Sequence, residues 1–148
     1  GGHLYLENYE PSRWPACNPE TGYLNVDASP TKSFILDAHR ANPADPFWAL
    51  CFGRRPAVEF YDLKTDRDCV KNLATTPATA AQRSALKATM ETALKAQGDP
   101  RMFGQGAIFD RYPHSNNANI NFYERYMKGE KISAGWVLPT DFEKAPLD

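Results

Sequence analysis

VEFYDLKTDRDCVKNLATTPATAAQRSALKATMETALKAQGDP, residues 58–100, holds the two regular elements on which the fold turns. Val58, Glu59, Phe60 and Tyr61 give the strongest strand signal in the chain, and the Asp66–Asp68 region ends it with turn chemistry. Thr76 is read as a cap and Pro77 as the first residue of the clearest helix, which runs to Gln97. Its apolar stripe, Leu86, Met90, Ala93 and Leu94, follows i, i+4, i+7, i+8 spacing, while Lys87, Glu91 and Lys95 recur at i, i+4 on a solvated face. Gly98 and Pro100 stop it.

Upstream of this block, His3 to Leu6 reads as a short strand that starts without a polar lead-in, as if cut from something longer. Tyr9 to Pro30 carries Pro11, Pro15, Asn18, Pro19, Gly22, Asn25 and Asp27, turn residues without periodicity, so a long functional or packed loop is expected. Ser29 with Pro30 starts a helix of about ten residues to Arg40, and Asp45 with Pro46 starts a short, mostly buried one that Gly53 stops. Downstream of Arg101 the chain is irregular and Asn-rich as far as Asn121. A short amphipathic segment, Phe122 to Met127, then leads to a tail with Trp136, Val137 and Leu138 that is expected to pack over a surface.

Composition narrows the function classes. At 148 residues one domain, 1–148, is expected. Leu, Ile, Val and Phe make up 27 of those residues, about 18% and just under the usual globular floor of roughly 20%, so packing should rest on the three Trp and seven Tyr. The longest apolar run, Phe47 to Phe52, is far short of a membrane span, and no membrane partner is expected. With a net charge of −1 and no basic stretch beyond Arg54 and Arg55, neither is a nucleic-acid partner.

Chemistry-bearing residues are sparse. His3, His39 and His114 lie far apart and read as surface or loop histidines. Cys17, Cys51 and Cys69 are odd in number, lack CxxC spacing and read as buried structural thiols. Gly104 and Gly106 do not complete a dinucleotide fingerprint, since position 109 is Phe. Asp62, Asp66 and Asp68 lack the alternating calcium-loop pattern and read as solvated turn carboxylates. Neither a catalytic nor a metal-binding residue is assigned. The remaining candidates are Arg13 and Trp14, within Tyr9 to Pro15, together with Arg54. A guanidinium forks onto sulfate or carboxylate oxygens and a ring stacks on a sugar face, which suits an anionic carbohydrate. The alternative is an arginine that ties a loop to its own protein.

Arg55-Pro56-Ala57, Glu59-Phe60-Tyr61-Asp62-Leu63, Asp66 and Asn72-Leu73-Ala74 together resemble a known pattern. It is the RPAEELYDL and DPxExxNLA signature of the C-terminal subdomain of type I sulfatases, in the heparan N-sulfatase (sulfamidase)-like branch, much of it bacterial. Gly98 to Arg101 is similar to the end of that family's final helix, and Tyr9 to Pro15 and Asp27 to Thr31 to the loops before it. The likeness covers nearly all of residues 3 to 112. Arg67 and Cys69 stand where the family has proline and glutamate, and Glu7 where a basic residue is usual.

The resemblance implies an accessory subdomain of an alkaline-phosphatase-like enzyme acting on sulfated carbohydrate. The calcium ion and the formylglycine made from a [CS]xPxR motif would both belong to the catalytic domain, which becomes the expected partner. Cys17-Asn18-Pro19 is the only CxP here and has Thr21 in place of the motif's arginine, so no cofactor is assigned to this chain and no activity to it alone. The fold expected is α+β, a small antiparallel sheet of about four strands with the Pro77–Gln97 helix across one face and long loops around it. A periplasmic or secreted location follows from the resemblance. The rival reading is a free-standing carbohydrate-binding module for anionic sugars. Aromatics at Tyr9, Trp14, Phe103, Phe109, Tyr112 and Trp136 sit outside periodic segments, so self-association, as a two-fold dimer, is expected of the isolated chain.

Overall fold

In a computed structural model of the chain, residues 2–21, 27–133 and 137–143 are described. Gly22, Asn25 and Trp136, which figure in the sequence reading, lie outside them. The fold is α+β. In chain order come β1 (His3–Glu7), α1 (Pro30–Ala41), α2 (Pro46–Cys51), β2 (Val58–Asp62), α3 (Ala80–Ala96) and α4 (Phe122–Met127), with short 3-10 turns between and after them. Among the described residues the sheet has two strands, where about four are expected. No helix of the described residues is long and apolar enough to cross a membrane. The chain groups into two compact units, one of Gly1–Tyr9 with Pro56–Ser115, the other of Glu10–Arg55 with Asn116–Asp148.

In the first unit β1 and β2 pair antiparallel, Tyr5 opposite Phe60 and Glu7 opposite Val58. Side chains alternate across a strand, so His3, Tyr5 and Glu7 share a face with Val58, Phe60 and Asp62. Phe60 is fully buried on that face, with His3 stacked on it at 5.2 Å between centroids. There α3 meets β1. Lys87 Nζ lies 2.6 Å from Glu7 Oε1, and that bond raises the lysine's pKa. The helix face read as solvated therefore docks in part on the sheet. Lys87 and Lys95 also flank Glu91 at 3.5 and 3.9 Å. Leu86, Met90 and Leu94 are only half-buried, Ala93 is exposed, and α3 has no fully buried residue.

The start of α3 differs from its sequence reading. Pro77–Thr79 form a 3-10 turn, and Thr76 makes no side-chain cap. The bracing comes from Thr79, whose hydroxyl donates to the carbonyls of Leu73 and Thr76 at 3.0 and 2.8 Å, and from Arg83, which donates to the Ala74 carbonyl. Gly98 closes the helix at φ +72, a backbone region that glycine enters without steric cost.

The link from β2 to α3 is built by side chains. Asp62 accepts from the Lys64 N–H and the Thr65 hydroxyl, and the backbone bond holds its carboxyl below the usual range. Asp66 accepts from the N–H groups of Val70 and Lys71. Asn72 Oδ1 accepts from the N–H groups of Phe60 and Ala74 at 3.0 and 2.9 Å, and its Nδ2 donates to the Val58 carbonyl at 3.2 Å. The amide of Asn72 thus acts as one more rung on the second edge of β2, beside the Leu73 N–H that donates to the Phe60 carbonyl at 2.7 Å.

In the second unit Ser29 caps α1 by accepting from the Lys32 N–H at 3.1 Å, and Asp45 caps α2 through the Phe47 N–H at 3.0 Å. The apolar cluster joins Ile35 and Leu36 of α1 to Trp48 of α2, with Trp14 and Phe52 packed against it. Helix α2 is not mostly buried, because only Trp48 points inward while Phe47, Leu50 and Cys51 are exposed. Six residues give too little length for a full buried stripe. Gly53 follows for a reason of space, since a Cβ there would fall 2.7 Å from the Ala49 carbonyl oxygen.

Candidate functional site

The sharp turn at Gly53 leads directly into Arg54, which the structure brings to Trp14. The guanidinium carbon stands 4.5 Å from the centroid of the indole ring. Such a cation–π contact is worth about 0.5–1 kcal/mol at an exposed site and holds the planar fork in one orientation. Two aromatic edges hold Trp14 in turn, Trp48 at 6.0 Å and Tyr123 of α4 at 5.9 Å. Its ring therefore serves as a platform for Arg54, an exposed residue. Arg13 is placed differently. It forms an exposed i, i+3 pair with Glu10 at 3.4 Å, the loop-tying arrangement weighed as the alternative.

Behind this surface lies a buried polar group that the sequence reading missed. Trp48 Nε1 donates to Glu20 Oε1 at 2.9 Å, and the His39 ring stacks on Trp48 at 4.7 Å and 14°. His39 is buried, which corrects its reading as a surface or loop histidine. Glu20 is fully buried, in a turn whose backbone is tied to Asn18. Burial raises its carboxyl above the ordinary 4.5, with the bonds from Trp48 and Asn18 acting in the opposite direction. Lys32 of α1 and Asp141 are also buried, 3.7 Å apart, and desolvation pulls the lysine's pKa down against the attraction of Asp141.

A signal for half of this group was present in the sequence. Lys32, Ile35, Leu36 and His39 stand at i, i+3, i+4, i+7, the spacing of a buried helix face, so the lysine and histidine share the inward side of α1 with two aliphatic residues. Glu20 within a turn-rich loop and Asp141 in the tail had no comparable signal.

The thiols differ from their reading as well. Cys51 is exposed, and Cys17 and Cys69 are half-buried. Both of the latter adopt left-handed backbone, φ 62 and 55. Burial pushes the Cys17 thiol up, away from the nucleophilic thiolate. With Thr21 in the fifth place of Cys17-Asn18-Pro19-Glu20-Thr21, the residues present do not fit a formylglycine site. Among the described residues no three His, Cys, Asp or Glu side chains gather closely enough to hold a metal ion.

Glu20 yields a pH prediction. A carboxyl whose folded pKa exceeds its unfolded value contributes stability that is fully present below the unfolded pKa and lost as pH rises through the folded one. Glu20→Gln keeps an acceptor for Trp48 and has no charge to desolvate. It is expected to be at least as stable as the parent at neutral pH and to lack the parent's loss of stability above pH 4.5 that Glu20 causes. Urea midpoints measured across the acid-to-neutral range decide this, and a variant that is weaker at neutral pH with an unchanged pH slope would refute it.

No family model, curated protein or solved structure matches the chain.

Proposed function

We propose that the chain is the C-terminal accessory subdomain of a type I sulfatase acting on sulfated carbohydrate, completing the enzyme's fold and contributing to the rim of its pocket. The observation that carries this reading is the hydrogen bonding of the block that resembles the sulfatase signature. Asp62, Asp66 and Asn72, its recurrent polar residues, each organise backbone N–H groups of the strand-to-helix link. A signature that is spent on backbone geometry marks a scaffold element, and the chemistry then belongs to another domain. Calcium and formylglycine sit in that catalytic domain, the sheet reaches about four strands as part of the sulfatase subdomain fold, and the enzyme works in the periplasm or outside the cell. Arg54, held against Trp14, is the rim residue toward the anionic substrate.

The test is the reading frame upstream of Gly2 together with the enzyme it encodes. A [CS]xPxR motif upstream is expected, and Arg54→Ala in that whole enzyme should raise KM for a sulfated oligosaccharide about tenfold with kcat largely kept, as for the loss of one charge-assisted anion contact. A frame without the motif overturns the proposal.

The exposed position of Arg54 against Trp14 also favours a second reading, the free-standing module for anionic sugars. In that case the chain alone binds a sulfated polysaccharide, loses binding on Arg54→Ala, and follows a signal peptide directly.

A further inference from the structure

At about 100° per residue, Lys32, Ser33 and Arg40 fall on one side of α1, with the fully buried Leu36 between them. Residues 137–143 lie along that side. The Ser33 hydroxyl donates to Asp141 Oδ1 at 2.8 Å, Lys32 Nζ stands 3.7 Å from Asp141 Oδ2, and Arg40 Nε stands 2.7 Å from Glu143 Oε1. Two further bonds seat the segment. The Glu143 N–H donates to the Glu20 carbonyl at 3.1 Å, and the Tyr126 hydroxyl donates to the Glu143 carbonyl at 3.1 Å.

The grip is ionic where an ordinary docking would be apolar. Leu138 is 43% exposed, and Val137 and Phe142 are only half-buried, whereas Asp141 and Lys32 are 1% and 3% exposed. Withdrawing two charges from water is costly, and desolvation lowers the lysine's pKa despite the attraction of Asp141, 3.7 Å away. An attachment of this kind specifies one partner more than it adds stability. Just after α4, residues 128–131 are all exposed and Gly129 sits at φ +82.

We propose that residues 137–143 form a releasable latch, and that the Lys32, Ser33 and Arg40 side of α1 is a receptor for the same acidic segment of a second copy of this chain. In the structure the receptor is filled in cis by Asp141 and Glu143. Exchange between two copies uses the same contacts and closes with two-fold symmetry, because each copy donates one latch and offers one receptor.

Complementation between two full-length variants tests this. One carries Asp141→Lys and Glu143→Lys, which spoils the latch, and the other carries Lys32→Glu and Arg40→Glu, which spoils the receptor. Each opposes like charges in cis and in its own homodimer, whereas across the mixed pair every contact is again between opposite charges. The expected result by native mass spectrometry is a heterodimer at least about tenfold more abundant than either homodimer. A single chain with all four changes should close in cis and return to the parent's behaviour. A mixture that forms no more dimer than its components overturns the proposal. Hydrogen exchange on the unaltered chain decides independently of how the variants fold. The amides of Asp141 and Glu143 should exchange at least about tenfold faster than that of Leu36, through opening of the latch alone. Equal rates would mean that the segment opens only with the rest of its unit, and the latch would be refuted.

Discussion

Trp48→Ala is expected to lower the stability of the second unit by about 3–5 kcal/mol, the range for removing a large buried aromatic side chain. The ring is 6% exposed, joins Ile35 and Leu36 in the apolar cluster, stacks on His39 and meets the edge of Trp14. Its loss also strands the buried Glu20, whose Oε1 accepts from the indole N–H. Trp48→Phe separates the two effects, since it keeps most of the ring packing and removes only the donor, for which a cost of about 1–3 kcal/mol is expected. Urea unfolding followed by circular dichroism measures both. An alanine variant within about 1 kcal/mol of the parent would mean that this cluster is not the core of its unit. Because Trp14 rests on Trp48, the alanine variant should also free Arg54 from its fixed orientation.

Asn72→Ala is expected to cost about 1–3 kcal/mol, since three hydrogen bonds are lost at roughly 1 kcal/mol each while water reaches part of the site. The amide bridges the Phe60 and Ala74 N–H groups and the Val58 carbonyl, so its removal leaves this edge of β2 with the Leu73 N–H on the Phe60 carbonyl. Asn72→Asp keeps the acceptor and loses only the donor to Val58, and should cost less than alanine. The direct measurement is hydrogen exchange at the Phe60 amide, which should lose protection in the alanine variant. An unchanged exchange rate would show that β2 is held without Asn72. A two-stranded ribbon is marginal in water, so a side chain that acts as an extra rung has a large effect there.

The local elements were legible because their causes are local. Ser29 before Pro30 and Asp45 before Pro46 place a side-chain acceptor beside a residue preset for the first helical position, and both caps form as read. The Phe122–Met127 segment and the two strands also appear where the pattern puts them. Thr76 before Pro77 offers the same signal and fails, because the Thr79 N–H bonds to the Thr76 carbonyl at 3.1 Å in a 3-10 turn and is not left for the side chain.

For the candidate site the division is similar. Arg13, Trp14 and Arg54 were grouped by residue type alone, and only the tertiary structure set Arg54 against Trp14 and Arg13 against Glu10. The face of Lys32, Ile35, Leu36 and His39 was written in helical spacing. The identity of its charged counterpart was not, because Asp141 lies 108 residues from Ser33 and such a contact has no periodicity.

By itself, then, the sequence determined where α1, α2, α4 and the two strands begin, and its helical spacing carried the inward side of α1, since each depends on neighbours within a few positions. Only the tertiary structure decided that Glu20 and Lys32 lose their water, that Trp14 becomes a platform for Arg54, and that an acidic tail segment lies on α1. Burial and ion pairing depend on distances between residues far apart in the chain, and those distances exist only once the chain is folded.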